Sequence, residues 1–153
     1  MNNTVLRTIS GTGFIILMLA GLLVNKFLYA GLVLFIMVVM MHEFYTITMR
    51  DRYKFSRILA MLASVTLFVL IFLVCAYDLP ARYVSIAILP LMVVMVNSLY
   101  VKDNSDFSTF SEIYTGLLYI AIPLALSNLV VFFDQKFNGI VLLCFFIIIW
   151  SSD

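Results

Sequence analysis

An all-α, polytopic transmembrane helical bundle is the fold this sequence predicts. Hydrophobic residues make up 65% of the 153 positions, charged residues only 11%, and mean hydropathy is +1.16. A soluble domain carries roughly 25% charged residues, and a globule of this length has too little interior to hide so much apolar surface, so the solvent must be lipid. Apolar runs near the length of one bilayer crossing, about 20 residues, recur along the whole chain. In lipid the backbone has to satisfy its own hydrogen bonds, so these runs are helices, even where a β-branched stretch such as Ile147-Ile148-Ile149 occurs.

The helices are expected at about 9–25, 28–47, 58–77, 83–101 and 113–133, with a sixth starting near 138. The first has a basic residue, Arg7, ahead of an apolar stretch from Phe14 to Val24, the outline of a signal peptide. No small-residue cleavage site follows it, so it reads as a retained helix. Tyr29, Tyr45, Tyr77, Tyr83 and Tyr100 fall near predicted helix ends, where an aromatic belt is expected. Thr109-Phe110-Ser111-Glu112, just before the fifth run, has the form of a capping box. The sixth run, Phe137 to Trp150, is shorter than the 17 or so residues a crossing needs. The expectation is about five complete spans plus a truncated sixth, in one transmembrane domain over 1–153.

Basic residues set the orientation. With the N-terminus cytoplasmic, Arg7, Arg50, Arg52, Lys54, Arg57 and Lys102 lie inside, whereas Lys26, Arg82 and Lys136 lie outside. The inside set is larger and contains the one dense cluster, which favours a cytoplasmic N-terminus. Asp153 then arrives at the cytoplasmic side.

No basic tract with interleaved aromatics suggests nucleic acid. Walker-type, dinucleotide-binding, zinc-protease and Cys-x-x-Cys motifs are absent. His42 is the single histidine, and Cys75 and Cys144 lie in apolar runs without metal-like spacing. Chemistry is left to acids and bases near the bilayer rim. Glu43, beside His42 at the end of the second run, is an ionisable group inside a span and a functional candidate on that ground. Its bland reading is a carboxylate that reaches the headgroup layer. The Arg50–Arg57 cluster either greets an anionic headgroup or only fixes topology. Gly116, Tyr119 and Pro123 in the fifth run allow close packing or a kink that frees backbone carbonyls. Asp153 is either a carboxylate within the membrane near its cytoplasmic face or a chain end in water.

Four landmarks occur in order: Arg7-Thr8-Ile9-Ser10-Gly11 before the first helix, His42-Glu43-Phe44-Tyr45 closing the second, Gly116-x-x-Tyr119-x-x-x-Pro123-Leu124 in the fifth, and Trp150-x-x-Asp153 at the end. With them the chain resembles the N-terminal part of the bacterial phosphatidate cytidylyltransferase (CDP-diacylglycerol synthase) family. The lysines, aspartates and paired glycines of that family's C-terminal signature do not occur in it, so the resemblance implies the N-terminal portion of a longer enzyme. It implies transfer of the cytidylyl group of CTP to phosphatidate, with Mg²⁺ as cofactor, in the bacterial inner membrane. On this reading Asp153 is the expected catalytic and metal-binding residue and Glu43 supports the polar cavity. Arg7, Arg50 and Arg52 are expected to contact phosphate or headgroup. CTP, phosphatidate and membrane lipid are the expected partners, and a homodimer is left open. A CTP-dependent polyprenol or phytol kinase, and a non-catalytic membrane subunit or small transporter, are the competing readings.

Overall fold

The apolar runs fold as the lipid argument requires. A computed structural model describes residues 3–49, 53–100, 106–133 and 136–152. Helix α1 is Asn3–Leu23, α2 Lys26–Met49 and α3 Lys54–Tyr77. A 3₁₀ turn, Ala81–Ala87, leads into α4, Ile88–Tyr100. Helix α5, Asp106–Gly116, continues through a π turn, Leu117–Ala121, into α6, Ile122–Val131. Two short antiparallel strands, β1 (Phe132–Phe133) and β2 (Lys136–Phe137), pair Phe132 with Phe137 and turn the chain into α7, Gly139–Ser152.

Among the described residues, three helices are long and apolar enough to cross a membrane: α2, α3 and the broken helix over Ser111–Val131. These three pack on one another and form the centre of the bundle. Helices α1, α4 and α7 flank that centre, with apolar segments over Gly11–Leu23, Ala81–Asn97 and Gly139–Ile149 among the described residues. Helix α4 lies against α3, whereas α1 packs on α2 and α7, and α7 also reaches α6.

Lipid tails are as apolar as leucine, so association depends on close packing and polar ties rather than on hydrophobicity. The most extensive contact, α3 with α6, joins two helices that both bury small residues: Ala60, Ala63 and Ser64 on α3, Ala125 on α6. Helix α2 buries one stripe, Tyr29, Val33, Met37, Met41, Tyr45 and Met49. Its spacing of four residues makes a continuous stripe that winds slowly round the helix, each step landing beside the last. Two glycines permit backbone approach elsewhere. A Cβ on Gly139 would collide with the Leu22 carbonyl oxygen, and one on Gly116 would come within 2.6 Å of the Tyr45 hydroxyl.

The structure corrects several details of the sequence reading. Tyr29 and Tyr45 are not belt residues: both are fully buried, and each spends its hydroxyl on another helix. They share the buried stripe of α2, whereas Tyr77, Tyr83 and Tyr100 are exposed as a belt requires. Helix α5 is already under way at Asp106, so Thr109 and Glu112 lie inside it rather than capping it. Cys144 faces outward and Cys75 is half-buried.

Candidate functional site

One end of the bundle carries interhelical polar ties at the C-terminus of α2, the N-terminus of α3 and the end of α4. Arg57 Nη2 donates to Thr46 Oγ1 at 2.6 Å, and Thr46 Oγ1 donates in turn to the His42 carbonyl at 2.7 Å. Asn97 Nδ2 donates to Ser56 Oγ at 2.6 Å, tying α4 to α3. Tyr45 donates its hydroxyl to the Ile113 carbonyl at 3.0 Å, tying α2 to α5. Three of these bonds, Arg57–Thr46, Asn97–Ser56 and Tyr45–Ile113, join two different helices, so this end is a pre-positioned platform rather than a set of free side chains. Tyr53, which opens α3, adds a left-handed backbone turn at φ 56°. A bulky residue is an outlier there.

Glu43 lies between Met41 and Tyr45 in sequence, about 200° round the helix from each, so it projects away from the buried stripe. It is exposed, as is His42. Thr46 follows Glu43 by three residues, hence on the neighbouring turn, so the Arg57 guanidinium is fastened one turn from the carboxylate. Arg50 and Arg52 lie outside the described residues, as does Asp153. Arg7 lies in α1, with its backbone described.

Helix geometry gives the heights of these positions. A Cβ on Gly21 would stand 3.3 Å from Leu32 Cβ, which levels position 21 of α1 with position 32 of α2. Gly139, against Leu22, starts α7 at nearly the same level. Counting about 1.5 Å per residue along each helix, the last turn of α7, the start of the apolar part of α1 and the Glu43 turn of α2 come to similar heights. Among the described residues, the last turn of α7, the start of the apolar part of α1 and the Glu43 turn of α2 thus lie toward one end of the bundle.

Gly116 is buried against the Tyr45 ring, whose Cε1 and Cζ would each lie 2.8 Å from an added Cβ. The π turn follows directly, and Pro123 stands just after it. Proline has no N–H and its ring crowds the carbonyl four residues back, which explains why the helix widens at this point. Tyr119 and Pro123 both face outward, Tyr119 with 79% of its surface exposed.

At the opposite end the charges are held by aromatics. Lys26 Nζ sits 4.5 Å from the Tyr77 ring centroid and 5.4 Å from that of Phe27, and the Arg82 guanidinium sits 5.6 Å from that of Tyr83. Beneath them Tyr29 and Ser127 share a 2.7 Å hydrogen bond, and Ser127 Oγ donates to the Leu124 carbonyl at 2.6 Å. The serine proton is committed to that carbonyl, so the tyrosine is the donor to Ser127. Asn128, fully buried, donates Nδ2 to the Ala125 carbonyl, and its Oδ1 has no partner among the described residues. Sequence reading missed Thr46, Ser56, Asn97 and Asn128. Polar side chains inside apolar helices were the available signal.

Among the described residues no three His, Cys, Asp or Glu side chains gather around one point that would hold a metal ion. Glu43 by itself does not make such a site.

A sequence profile of the cytidylyltransferase family matches residues 5–153. Comparison with curated proteins gives no match, and comparison with solved structures gives none.

Proposed function

The chain belongs to the cytidylyltransferase family, and from that premise we propose that it is the N-terminal transmembrane domain of an enzyme that converts CTP and phosphatidate into CDP-diacylglycerol and pyrophosphate. The match across nearly the whole chain, in a multi-pass helical membrane protein, carries this reading. The family supplies the nucleotidyl transfer, and the membrane bundle suits a lipid acceptor.

In the proposed reaction a phosphate oxygen of phosphatidate attacks the α-phosphorus of CTP. A new P–O bond forms, the α–β bridging bond breaks, and its electron pair leaves on pyrophosphate. Both reactants are anions, so the protein's task is in-line positioning and charge neutralisation. The platform end of the bundle is assigned to the cytoplasm, where CTP is available and the phosphatidate headgroup lies at the surface. The N-terminus is cytoplasmic in this assignment, which gives five complete crossings and a truncated sixth that returns toward the cytoplasmic side. The membrane is the bacterial inner membrane.

Asp153 is proposed as the residue at the reacting phosphates, and Glu43 as a polar wall of the same cavity. Arg7, Arg50 and Arg52 are proposed contacts for phosphate or headgroup, joined by Arg57, whose fastening to Thr46 holds a guanidinium at the right level. Cytidylyltransferases of this family typically use a divalent metal. Mg²⁺ is the proposed ion and Asp153 its proposed ligand, where it would neutralise phosphate charge. Assembly as a homodimer belongs to the same proposal.

The assay is incorporation of labelled CTP into lipid by membranes that express the complete reading frame, with phosphatidate and Mg²⁺ supplied. Labelled CDP-diacylglycerol is expected, and Asp153→Asn should abolish its formation while the protein still accumulates in the membrane. Lack of incorporation by the wild type would defeat the substrate assignment. Full activity of Asp153→Asn would remove that residue from the site.

A further inference from the structure

The Gly116–Pro123 stretch takes no part in the chemistry above, yet it holds a polar defect in the middle of a span. The Ile122 N–H bonds back to the Leu117 carbonyl, at π rather than α spacing. The next residue, Pro123, has no N–H to give. The Leu118 carbonyl therefore finds its α-spaced donor committed elsewhere and its π-spaced donor missing. The tyrosine that ties this region to α2, Tyr45, directs its hydroxyl to Ile113 instead.

The residues around this acceptor are not covered by the bundle among the described residues. Leu118 is 58% exposed and Tyr119 79% exposed, and Pro123 is exposed beside them. The apolar span runs over Ser111–Val131, so Leu118 lies about 10 Å from one end of it and about 20 Å from the other. At that depth an unsatisfied carbonyl in hydrocarbon is costly. Irregular backbone is tolerated there only when it is buried in protein or lines a water-filled cavity. The phenol of Tyr119 on the same outward turn is a second polar group that lipid would leave without a partner.

We propose that the outward face of this turn, comprising the Leu118 carbonyl, the Tyr119 side chain and Pro123, lines a water-filled cavity inside the membrane and is not covered by lipid. Water supplies the donor that Pro123 withholds, and the carbonyl and phenol are the kind of paired polar groups that hold an ordered water. The π turn is then a device for presenting backbone polarity at mid-span, with Gly116 against Tyr45 fixing the side from which it opens.

Thiol chemistry tests this, because the reactive thiolate forms in water and not in hydrocarbon. Cys75 and Cys144 are first replaced by alanine in the complete enzyme. Leu118→Cys and Tyr119→Cys are then compared in native membranes with Phe35→Cys and Val93→Cys, whose parent side chains are outward-facing at 63% and 51% exposure. The probe is a charged, membrane-impermeant methanethiosulfonate, and each variant is checked for wild-type accumulation in the membrane. Positions 118 and 119 should label at least about tenfold faster than the two controls. Rates at 118 and 119 as slow as the controls would overturn the proposal, whether lipid or a covering helix is the cause. If Tyr119→Cys fails to accumulate, Leu118→Cys decides, since it keeps both the carbonyl and the phenol. The labelling rate reads water access and not turnover, so it stands or falls separately from the CTP assay.

Discussion

Replacing Gly116 by alanine perturbs one methyl group at a contact whose geometry is known on every side. The added Cβ would come 2.6 Å from the Tyr45 hydroxyl and 2.8 Å from Cε1 and Cζ, all inside ordinary van der Waals separation. The ring has little room to yield. It is fully buried, its hydroxyl is bonded to Ile113, and the Phe44 ring meets it edge-on at 5.6 Å. Either the ring moves and the 3.0 Å hydrogen bond to Ile113 breaks, or α5 shifts away from α2. Overpacking of this kind costs about 1–3 kcal/mol, a factor of about 5 to 150 in the folded-to-unfolded ratio. For a chain of this length that is a fall of roughly 2–12 °C in the thermal midpoint. The assay is the thermal midpoint of detergent-solubilised protein, read for Gly116→Ala alone and in a Tyr45→Leu background. The smaller side chain leaves space, so Gly116→Ala should cost clearly less there. An unchanged midpoint for the single variant, or the same drop in both backgrounds, would refute the packing argument.

Two other contacts give sharp expectations. Gly139→Ala places a methyl against the Leu22 carbonyl, a backbone atom that cannot rotate away, so α7 should separate from α1. The loss is expected at or above the upper end of the overpacking range, about 3 kcal/mol, and limited proteolysis at the α6–α7 connection should show it as faster cleavage. Tyr29→Phe and Ser127→Ala each remove one side of the 2.7 Å bond between α2 and α6. A double-mutant cycle on thermal stability should return a coupling of about 0.6 kcal/mol, the usual size for such bonds between membrane helices, and zero coupling would mean that the pair contributes nothing.

How much was legible in advance differs from residue to residue. The positions of the helices followed from hydropathy because lipid leaves the backbone no alternative to internal hydrogen bonding. Gly116 and Pro123 announced a packing point or a kink, since small and N–H-lacking residues have few other uses inside a span. The tyrosines did not announce themselves. Nearness to a helix end suggested a belt for Tyr29 and Tyr45, but membership of a stripe spaced by four is what buried them. Glu43 could be named as an in-membrane acid from sequence, whereas its exposed position on α2 depends on which face the neighbours occupy.

By itself, then, the sequence determined the solvent, the helical class and the resemblance to a cytidylyltransferase, because all three rest on composition and on ordered local motifs. Which helices form the centre, which tyrosines are inside, and which end collects the ties Arg57–Thr46, Asn97–Ser56 and Tyr45–Ile113 were decided only by tertiary structure. Partners 11, 41 and 68 positions apart in the chain meet because of how helix faces pack, and local pattern carries no record of that. The stretch around Gly116 joins the two levels. Its residue types foretold a break in the helix, and only the packing against Tyr45 fixed where the break opens.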